Sequence, residues 1–101
     1  MIPKRVISID FGAESGRVMQ VAYAGRALHI EEVDRFANTP VTANGTLYWD
    51  ALRLYHDILT GVKMAAPNVA SLGIDTWGGD FAFLDRDGRL LANPVHYRDK
   101  S

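Results

Sequence analysis

Cysteine is absent from the 101-residue chain, which excludes disulfide bonds and thiolate metal sites and favours a cytoplasmic protein. An excess of one charge is also absent, because eleven Lys and Arg against twelve Asp and Glu leave a net charge of −1. Without a basic run, we expect neither nucleic acid nor a membrane surface as a partner. No segment approaches the roughly 20 apolar residues that cross a bilayer. Asp10 also interrupts the stretch where a signal-peptide core would form.

What the sequence does contain is a series of short apolar runs separated by turn residues. Apolar and β-branched residues at 4–10, 17–23 and 28–36 predict three strands. Their connections are too short for a crossover, so the three strands should form an antiparallel meander. The first strand is nearly continuous in apolar character, and we expect it to be central and covered on both faces.

The middle of the chain predicts a loop followed by a helix. Residues 38–45 are polar and are predicted as loop, and 47–49 as a short extended piece. The sequon at Asn44-Gly45-Thr46 is not expected to be used without a secretion signal. Asp50 is a predicted helix N-cap, and Pro67 ends the helix. The predicted core face of this helix consists of Leu52, Tyr55, Ile58, Leu59, Val62 and Ala66.

A fourth strand is predicted at 69–76. A right-handed crossover through the helix would place it parallel to one of the first three strands. Two further apolar runs, 81–84 and 90–91, flank Asp87-Gly88, which predicts a hairpin with a type I′ turn. The tail, 93–101, is predicted as loop.

The segment from Asp10 to Arg17 has the composition of an anion-binding loop between two strands. Asp10 ends a strand and offers a carboxylate to Mg²⁺, which prefers oxygen ligands. Gly12 permits close approach of the backbone, and the N–H groups up to Gly16 can converge on an anion. Ser15 adds a hydroxyl donor, and Arg17 adds a cation suited to a phosphoryl group. On its own, the segment is equally compatible with a surface hairpin that has a glycine turn.

A second unusual segment surrounds Trp77. The indole could cover the C–H face of a sugar, while exposed backbone at Gly78 and Gly79 could bond to hydroxyl groups. Taken alone, this segment fits a buried tryptophan beside a glycine bulge slightly better. No metal role is expected for the scattered histidines, which are His29, His56 and His96.

Four motifs in order resemble the start of the FGGY carbohydrate kinases, and among them the rhamnulokinase branch. The motifs are Asp-x-Gly-x-x-Ser-x-Arg at 10–17, Tyr-Trp-Asp at 48–50, Gly-Ile-Asp-Thr-Trp-Gly-x-Asp-Phe at 73–81, and Tyr-Arg-Asp at 97–99. The first motif is shared with other sugar kinases, actin and Hsp70-type ATPases. The ordered set is much more specific.

The resemblance implies an α/β, ribonuclease-H-like fold in a two-domain enzyme that closes over ATP and sugar. It implies ATP-phosphate contacts from six loop residues, namely Gly12, Ala13, Glu14, Ser15, Gly16 and Arg17. It places Asp10 at the Mg²⁺ ion. The sugar contacts it implies come from Asp75, Trp77 and Gly78, with Arg98 at the edge of the pocket.

Two positions depart from the pattern of the family. Glu14 adds a negative charge where close relatives often carry Ser, so its side chain must point away from the phosphates or the loop is weakened. Gly79 replaces a bulkier residue, which could loosen the sugar pocket.

The resemblance covers only the first part of a family member. Residues 1–101 are therefore expected to be the amino-terminal portion of the first domain, with the general base beyond Ser101 and no catalytic residue in this chain. The chain alone should be inactive, and the whole protein should phosphorylate a ketose such as L-rhamnulose. Two alternatives stay open: a non-catalytic binding or assembly module that self-associates through an uncovered sheet edge, and another ATPase of the actin/Hsp70 superfamily.

Overall fold

A computed structural model describes residues 4–65 and 67–101. Its elements are, in order, β1 (Lys4–Phe11), β2 (Ser15–Ala24), β3 (Ala27–Ala37), β4 (Val41–Ala43), β5 (Thr46–Tyr48), α1 (Ala51–Met64) and β6 (Ser71–Asp75).

Four of the strands form one sheet in the order β3-β2-β1-β6. The first three strands are antiparallel neighbours, which confirms the predicted meander. β6 pairs with β1 in parallel after the crossover through α1, as predicted. In this register the Cα of Asp10 faces Arg17 on one side and Asp75 on the other. The sheet therefore collects charged residues at the carboxyl end of β1.

The hydrophobic core lies on one face of the sheet. Ile7, Ile9 and Val18 are buried there, and α1 covers them. Towards the opposite face, Ser8 is exposed and Val6 is only half-buried. β1 is central as predicted, but the expected cover on both faces is wrong for the described residues, because the single helix packs on one side.

Helix α1 begins at the predicted N-cap. The Asp50 carboxylate accepts a hydrogen bond from the N–H of Arg53, and the Asp50 carbonyl accepts one from Leu54. The helix ends at Met64, before the predicted Pro67 stop. No helix in the ranges 4–65 and 67–101 is long and apolar enough to cross a membrane.

The predicted core face of α1 is wrong in part. Ile58 and Val62 pack against the core as expected, but Leu54 and Gly61 are the buried residues. A Cβ at Gly61 would lie 2.5 Å from Val18 Cγ2, so the helix sits too close to β2 for any side chain there. This contact fixes the helical phase. It leaves a second apolar stripe exposed, made of Leu52, Tyr55 and Leu59. Ala66, the last predicted member of the face, lies outside the described residues.

Two turns differ from the sequence prediction. The loop predicted at 38–45 contains β4, which pairs with β5 through Asn44-Gly45, and both turn residues have positive φ (55° and 81°), typical of a type I′ turn. In the hairpin around Asp87-Gly88, only Gly88 has positive φ. The Asp85 carbonyl accepts from the Gly88 N–H, and the Asp85 N–H donates to the Arg89 carbonyl. That is a type I turn with a glycine bulge instead of the predicted type I′ turn.

Gly61→Ala should destabilise the fold by about 1–2 kcal/mol, because the clash with Val18 exceeds the gain in helix propensity. Urea unfolding monitored by circular dichroism measures the change. Gly73→Ala is the matched control, since a Cβ at Gly73 meets no atom within 4 Å. A Gly61→Ala protein as stable as the wild type would contradict the close approach of α1 to β2.

Candidate functional site

Three charged residues line up across the sheet where β1 ends. Asp10 and Asp75 are neighbours in the parallel ladder, and Arg17 faces Asp10 from β2. Arg17 Nη2 donates to Asp10 Oδ2 at 2.5 Å, and both side chains are 42% exposed. Two adjacent carboxylates and a guanidinium are thus open to solvent at one edge. Within the described chain, no group of three or more potential metal-ligating side chains is present.

The loop between β1 and β2 is held by its carbonyl groups. The Gly12 N–H donates to Ser15 O at 2.8 Å, the Gly12 carbonyl accepts from Asn38 Nδ2 at 2.9 Å, and the Glu14 carbonyl accepts from the Asn38 N–H at 2.9 Å. Over the described residues, the N–H groups of Ala13 and Glu14 have no hydrogen-bond partner. The loop therefore keeps two backbone donors free.

Gly16 has a packing reason that the sequence did not reveal. A Cβ at this buried position would lie 2.3 Å from Phe36 Cζ. The ring of Phe36 also meets Phe11 edge to face, with 5.9 Å between centroids. Gly16 thus lets the aromatic residues of β1 and β3 close under the loop.

Trp77 belongs to an aromatic stack centred on Trp49. The two indoles lie 4.0 Å apart at 26°, and His96 stacks on Trp49 at 3.8 Å and 20°. Trp49 is only 2% exposed, and its Nε1 donates to Asp80 Oδ2 at 2.6 Å. Phe11 meets Trp77 edge to face with 6.2 Å between centroids. One face of the Trp77 indole is therefore covered by Trp49, and only the other can meet a ligand.

The segment 93–101 is irregular, as predicted, but it is tied to β5. His96 is buried, its N–H donates to Leu47 O, and its Nδ1 accepts from the Arg98 N–H at 3.0 Å. The Arg98 guanidinium lies 5.4 Å from the ring centroid of Tyr97. Asp99 accepts from the Leu47 N–H at 2.9 Å. These contacts hold Arg98 beside the loop.

A cavity of about 330 Å³ joins the first loop to Arg98. Its walls are formed by Ala13, Glu14, Asn38, Thr39, Pro40, Leu47, His96 and Arg98. The structure therefore brings predicted phosphate-loop residues together with one predicted sugar residue in a single cavity. Asp10, Asp75, Trp77 and Gly78 do not line it; they lie along the carboxyl ends of β1 and β6 instead.

No protein-family model matches the sequence. Curated relatives do. The chain is 43% identical over 95 residues to the rhamnulokinase of Bacteroides thetaiotaomicron, covering 91% of this chain and 20% of that protein. It is 39% identical over 104 residues to the rhamnulokinase of Pectobacterium atrosepticum, covering 98% of this chain and 21% of that protein. The resemblance to the rhamnulokinases is confirmed.

The chain spans about a fifth of the length of these rhamnulokinases, and it matches their amino-terminal part. Among solved structures, the crystal structure of gluconate kinase from Lactobacillus acidophilus superposes with a TM-score of 0.69 at 15% identity. That match covers 92% of this chain and 19% of the gluconate kinase. At this identity the match shows the fold alone, and it confirms the predicted α/β fold class.

Several residues that build the site were not identified from the sequence. Trp49 stands out in the sequence only as part of the Tyr-Trp-Asp motif, which does not predict its stacking with Trp77. His96 has no ligand spacing in the sequence, and it packs on Trp49. Asn38 is one polar residue in a polar segment and has no distinguishing signal. Asp80 belongs to the motif at 73–81, which does not predict its hydrogen bond to Trp49.

Trp49→Ala should cost about 3–5 kcal/mol of folding free energy, as expected for removal of a buried aromatic side chain. The loss should show as a lower urea midpoint. Trp77→Ala is the matched control and should cost distinctly less, because Trp77 is only half-buried. Equal losses for the two variants would contradict the central place of Trp49 in the stack.

The pKa of Asp99 lies below its ordinary value of 3.8. The main cause is the hydrogen bond that its carboxylate accepts from the Leu47 N–H, followed by the one from the Ser101 hydroxyl. A lowered folded-state pKa means that the stabilisation is present above the unfolded-state pKa and is lost as the pH falls through the folded-state pKa. Asp99→Ala should therefore lower the melting temperature at neutral pH, and the gap to wild type should close below pH 3.8.

The Asp99 measurement needs one control. Asp87→Ala removes a carboxylate that makes no hydrogen bond to any residue the structure describes. Its gap to wild type should stay nearly constant in the same pH series, followed by thermal unfolding. An Asp99→Ala gap that widens on acidification would contradict the sign of the pKa shift.

Proposed function

We propose that this chain is the amino-terminal part of an ATP-dependent carbohydrate kinase, whose complete protein transfers the γ-phosphate of ATP to a primary hydroxyl of a ketose such as L-rhamnulose. The observation that carries the proposal is the pairing of Asp10 with Asp75 in adjacent parallel strands. This pairing puts the candidate phosphate loop and the candidate sugar segment side by side. The rhamnulokinase relatives support the same reading.

The residues at this edge fit Mg²⁺ and a polyphosphate. Carboxylates such as Asp10 suit Mg²⁺, which keeps several waters and takes one or two protein oxygens. The free N–H groups of Ala13 and Glu14 suit anionic oxygens. Glu14 itself is exposed. Its side chain can therefore remain in water and keep its charge away from the phosphates.

The ion pair between Arg17 and Asp10 is no obstacle to this use. An exposed pair contributes only about 0–1 kcal/mol, so either side chain can change partner at small cost. Arg17 would then bind a phosphoryl oxygen, and Asp10 would hold the metal ion directly or through water. When bound, Mg²⁺ neutralises phosphate charge in phosphoryl transfer.

The sugar would lie beside the charged row formed by Asp10, Asp75 and Arg17. Trp77 offers one indole face, while Gly78 leaves its backbone open, since a Cβ there would meet no atom within 4 Å. Arg98 lines the same cavity as Ala13 and Glu14 of the first loop. We place Asp75 at the boundary between sugar and metal, because it is the strand partner of Asp10.

The chain supplies one side of a nucleotide site. Phosphoryl transfer needs positioning and charge stabilisation from both sides, and a base to take the hydroxyl proton. We expect that base beyond Ser101, and we expect residues 1–101 alone to be inactive. A cytoplasmic location is part of the same proposal.

The first test is an assay of the full-length gene product with ATP against a panel of ketoses and aldoses. We expect phosphate transfer to a ketose, with L-rhamnulose among the best acceptors. A full-length protein that transfers phosphate to none of the sugars would overturn the proposal.

Arg17→Lys should raise the KM for ATP by about tenfold or more, because a lysine cannot reproduce the planar fork of the guanidinium on a phosphoryl group. Arg35→Lys is the matched control. Arg35 is the strand partner of Arg17, and the Arg35 side chain is exposed and hydrogen-bonded to Glu32. Steady-state kinetics with varied ATP at saturating sugar would measure both. Equal KM values in the two variants would remove Arg17 from the phosphate site.

A second candidate is a non-catalytic module that self-associates. β3 and β6 form the two edges of the main sheet, Leu72 and Ile74 of β6 are exposed, and one apolar stripe of α1 is uncovered. Open strand edges and apolar surface favour association. Light scattering on this chain would test this candidate, since a stable monomer over a wide concentration range would contradict self-association.

The Trp77 segment argues against the third candidate, an ATPase of the actin/Hsp70 type.

A further inference from the structure

We propose that Asn38 is the positioning residue of the first loop: it holds the Gly12 carbonyl so that the Ala13 N–H, which belongs to the same peptide unit, faces an incoming anion, and it fixes the far end of the loop through the Glu14 carbonyl. The inference rests on the proposed function, because it assigns that anion to the phosphates of ATP. Asn38 is the first residue after β3 and follows the strand partner of Ser15 in the sheet.

Two hydrogen bonds attach Asn38 to the loop from opposite ends of the residue. The side-chain Nδ2 donates to the Gly12 carbonyl and the backbone N–H donates to the Glu14 carbonyl, each at 2.9 Å. Both loop carbonyls are therefore engaged on the side of β3. A peptide unit whose carbonyl points one way presents its N–H the other way, so the bond to the Gly12 carbonyl directs the Ala13 N–H away from Asn38.

The orientation of the Asn38 amide is fixed by its partner. The Gly12 carbonyl can only accept, so the nitrogen of the amide must face it. The oxygen, Oδ1, is then directed elsewhere; it is buried and has no hydrogen-bond donor in the part of the chain that the structure describes. The residue as a whole is 3% exposed. Asn38 thus occupies a buried position where its Oδ1 makes no hydrogen bond with the described residues.

A purely structural role does not account for this choice. A buried acceptor without a donor is unfavourable, and an apolar side chain of the same size would avoid the cost. Gly12 is exposed, so water could satisfy its carbonyl if Asn38 were replaced. Asn38 also lines the cavity shared by Ala13, Glu14 and Arg98. The polar side chain is explained by what it does to the loop.

The test compares Asn38→Leu with Asn93→Leu. Asn93 is the matched control, since its side chain also makes one bond to a backbone group, the Ala51 N–H at 3.2 Å, but at the start of α1. In this chain, the order parameter of the Ala13 amide, measured by NMR relaxation, should fall from about 0.85 to below about 0.6 in Asn38→Leu, with a melting temperature close to wild type. Asn93→Leu should lower the order parameter of the Ala51 amide and leave that of Ala13 unchanged.

In the full-length protein, Asn38→Leu should raise the KM for ATP about tenfold, with the KM for sugar unchanged. Asn93→Leu should change neither. An Ala13 order parameter and a KM for ATP both at wild-type values in Asn38→Leu would overturn the inference. If the wild-type protein transfers no phosphate from ATP to any sugar, the proposed function fails, and the comparison of order parameters in this chain alone supports or overturns the role of Asn38.

Asn38→Asp keeps the test decisive if the leucine variant does not fold. Near neutral pH its carboxylate cannot donate to Gly12 O, so the Ala13 order parameter should lie below that of wild type at the same pH. Below a pH of about 3.9 the carboxyl is protonated and can donate, which should bring the Ala13 order parameter back towards the wild-type value. An order parameter equal to that of wild type at every pH would contradict the inference.

Discussion

The stacked indole of Trp49 is the contact on which the site depends. It lies between β5 and α1 in the sequence, carries Trp77 on one face and His96 on the other, and is bonded to Asp80. Three segments distant in sequence therefore meet on one side chain. If that side chain were lost, Trp77 would keep only its edge contact with Phe11, and His96 would lose its stacking partner. Trp77, which we propose to face the sugar, is thus positioned by a buried side chain.

Much of the fold could be predicted because it follows from local rules. Short connections between apolar runs allow only an antiparallel meander, and a helix between two strands implies a parallel crossover. The face of α1 could not be predicted, because the helix carries two apolar stripes and the sequence does not say which one meets the sheet. The deciding residue is Gly61, which contributes no apolar side chain and is counted by no hydrophobic pattern. The Asn44-Gly45 pair is typical of a type I′ turn, but the strands on either side have only three residues, too few to show the alternation that predicts a hairpin.

The residues of the candidate site likewise divide into those that the sequence predicts and those that it does not. Asp10 and Asp75 come together because the carboxyl ends of parallel strands meet, which the crossover already implies. Asn38 lies 26 residues from its partner Gly12, and Trp49 lies 31 from Asp80. Such contacts depend on where the chain returns after a long excursion, and no spacing rule along the sequence reaches that far. Motif residues were therefore accessible from the sequence, and the residues that support them were not.

The Asp10–Arg17 pair has a consequence for how ligands would enter. While the two side chains are paired, neither Asp10 nor Arg17 is free to bind another ion. A cation that takes the Asp10 carboxylate releases the guanidinium, and an anion that takes Arg17 releases the carboxylate. Under the proposed function, each ligand would therefore raise the affinity for the other by the same factor, because linkage between two binding events is reciprocal. The pair would favour a metal–phosphate complex over either ion alone.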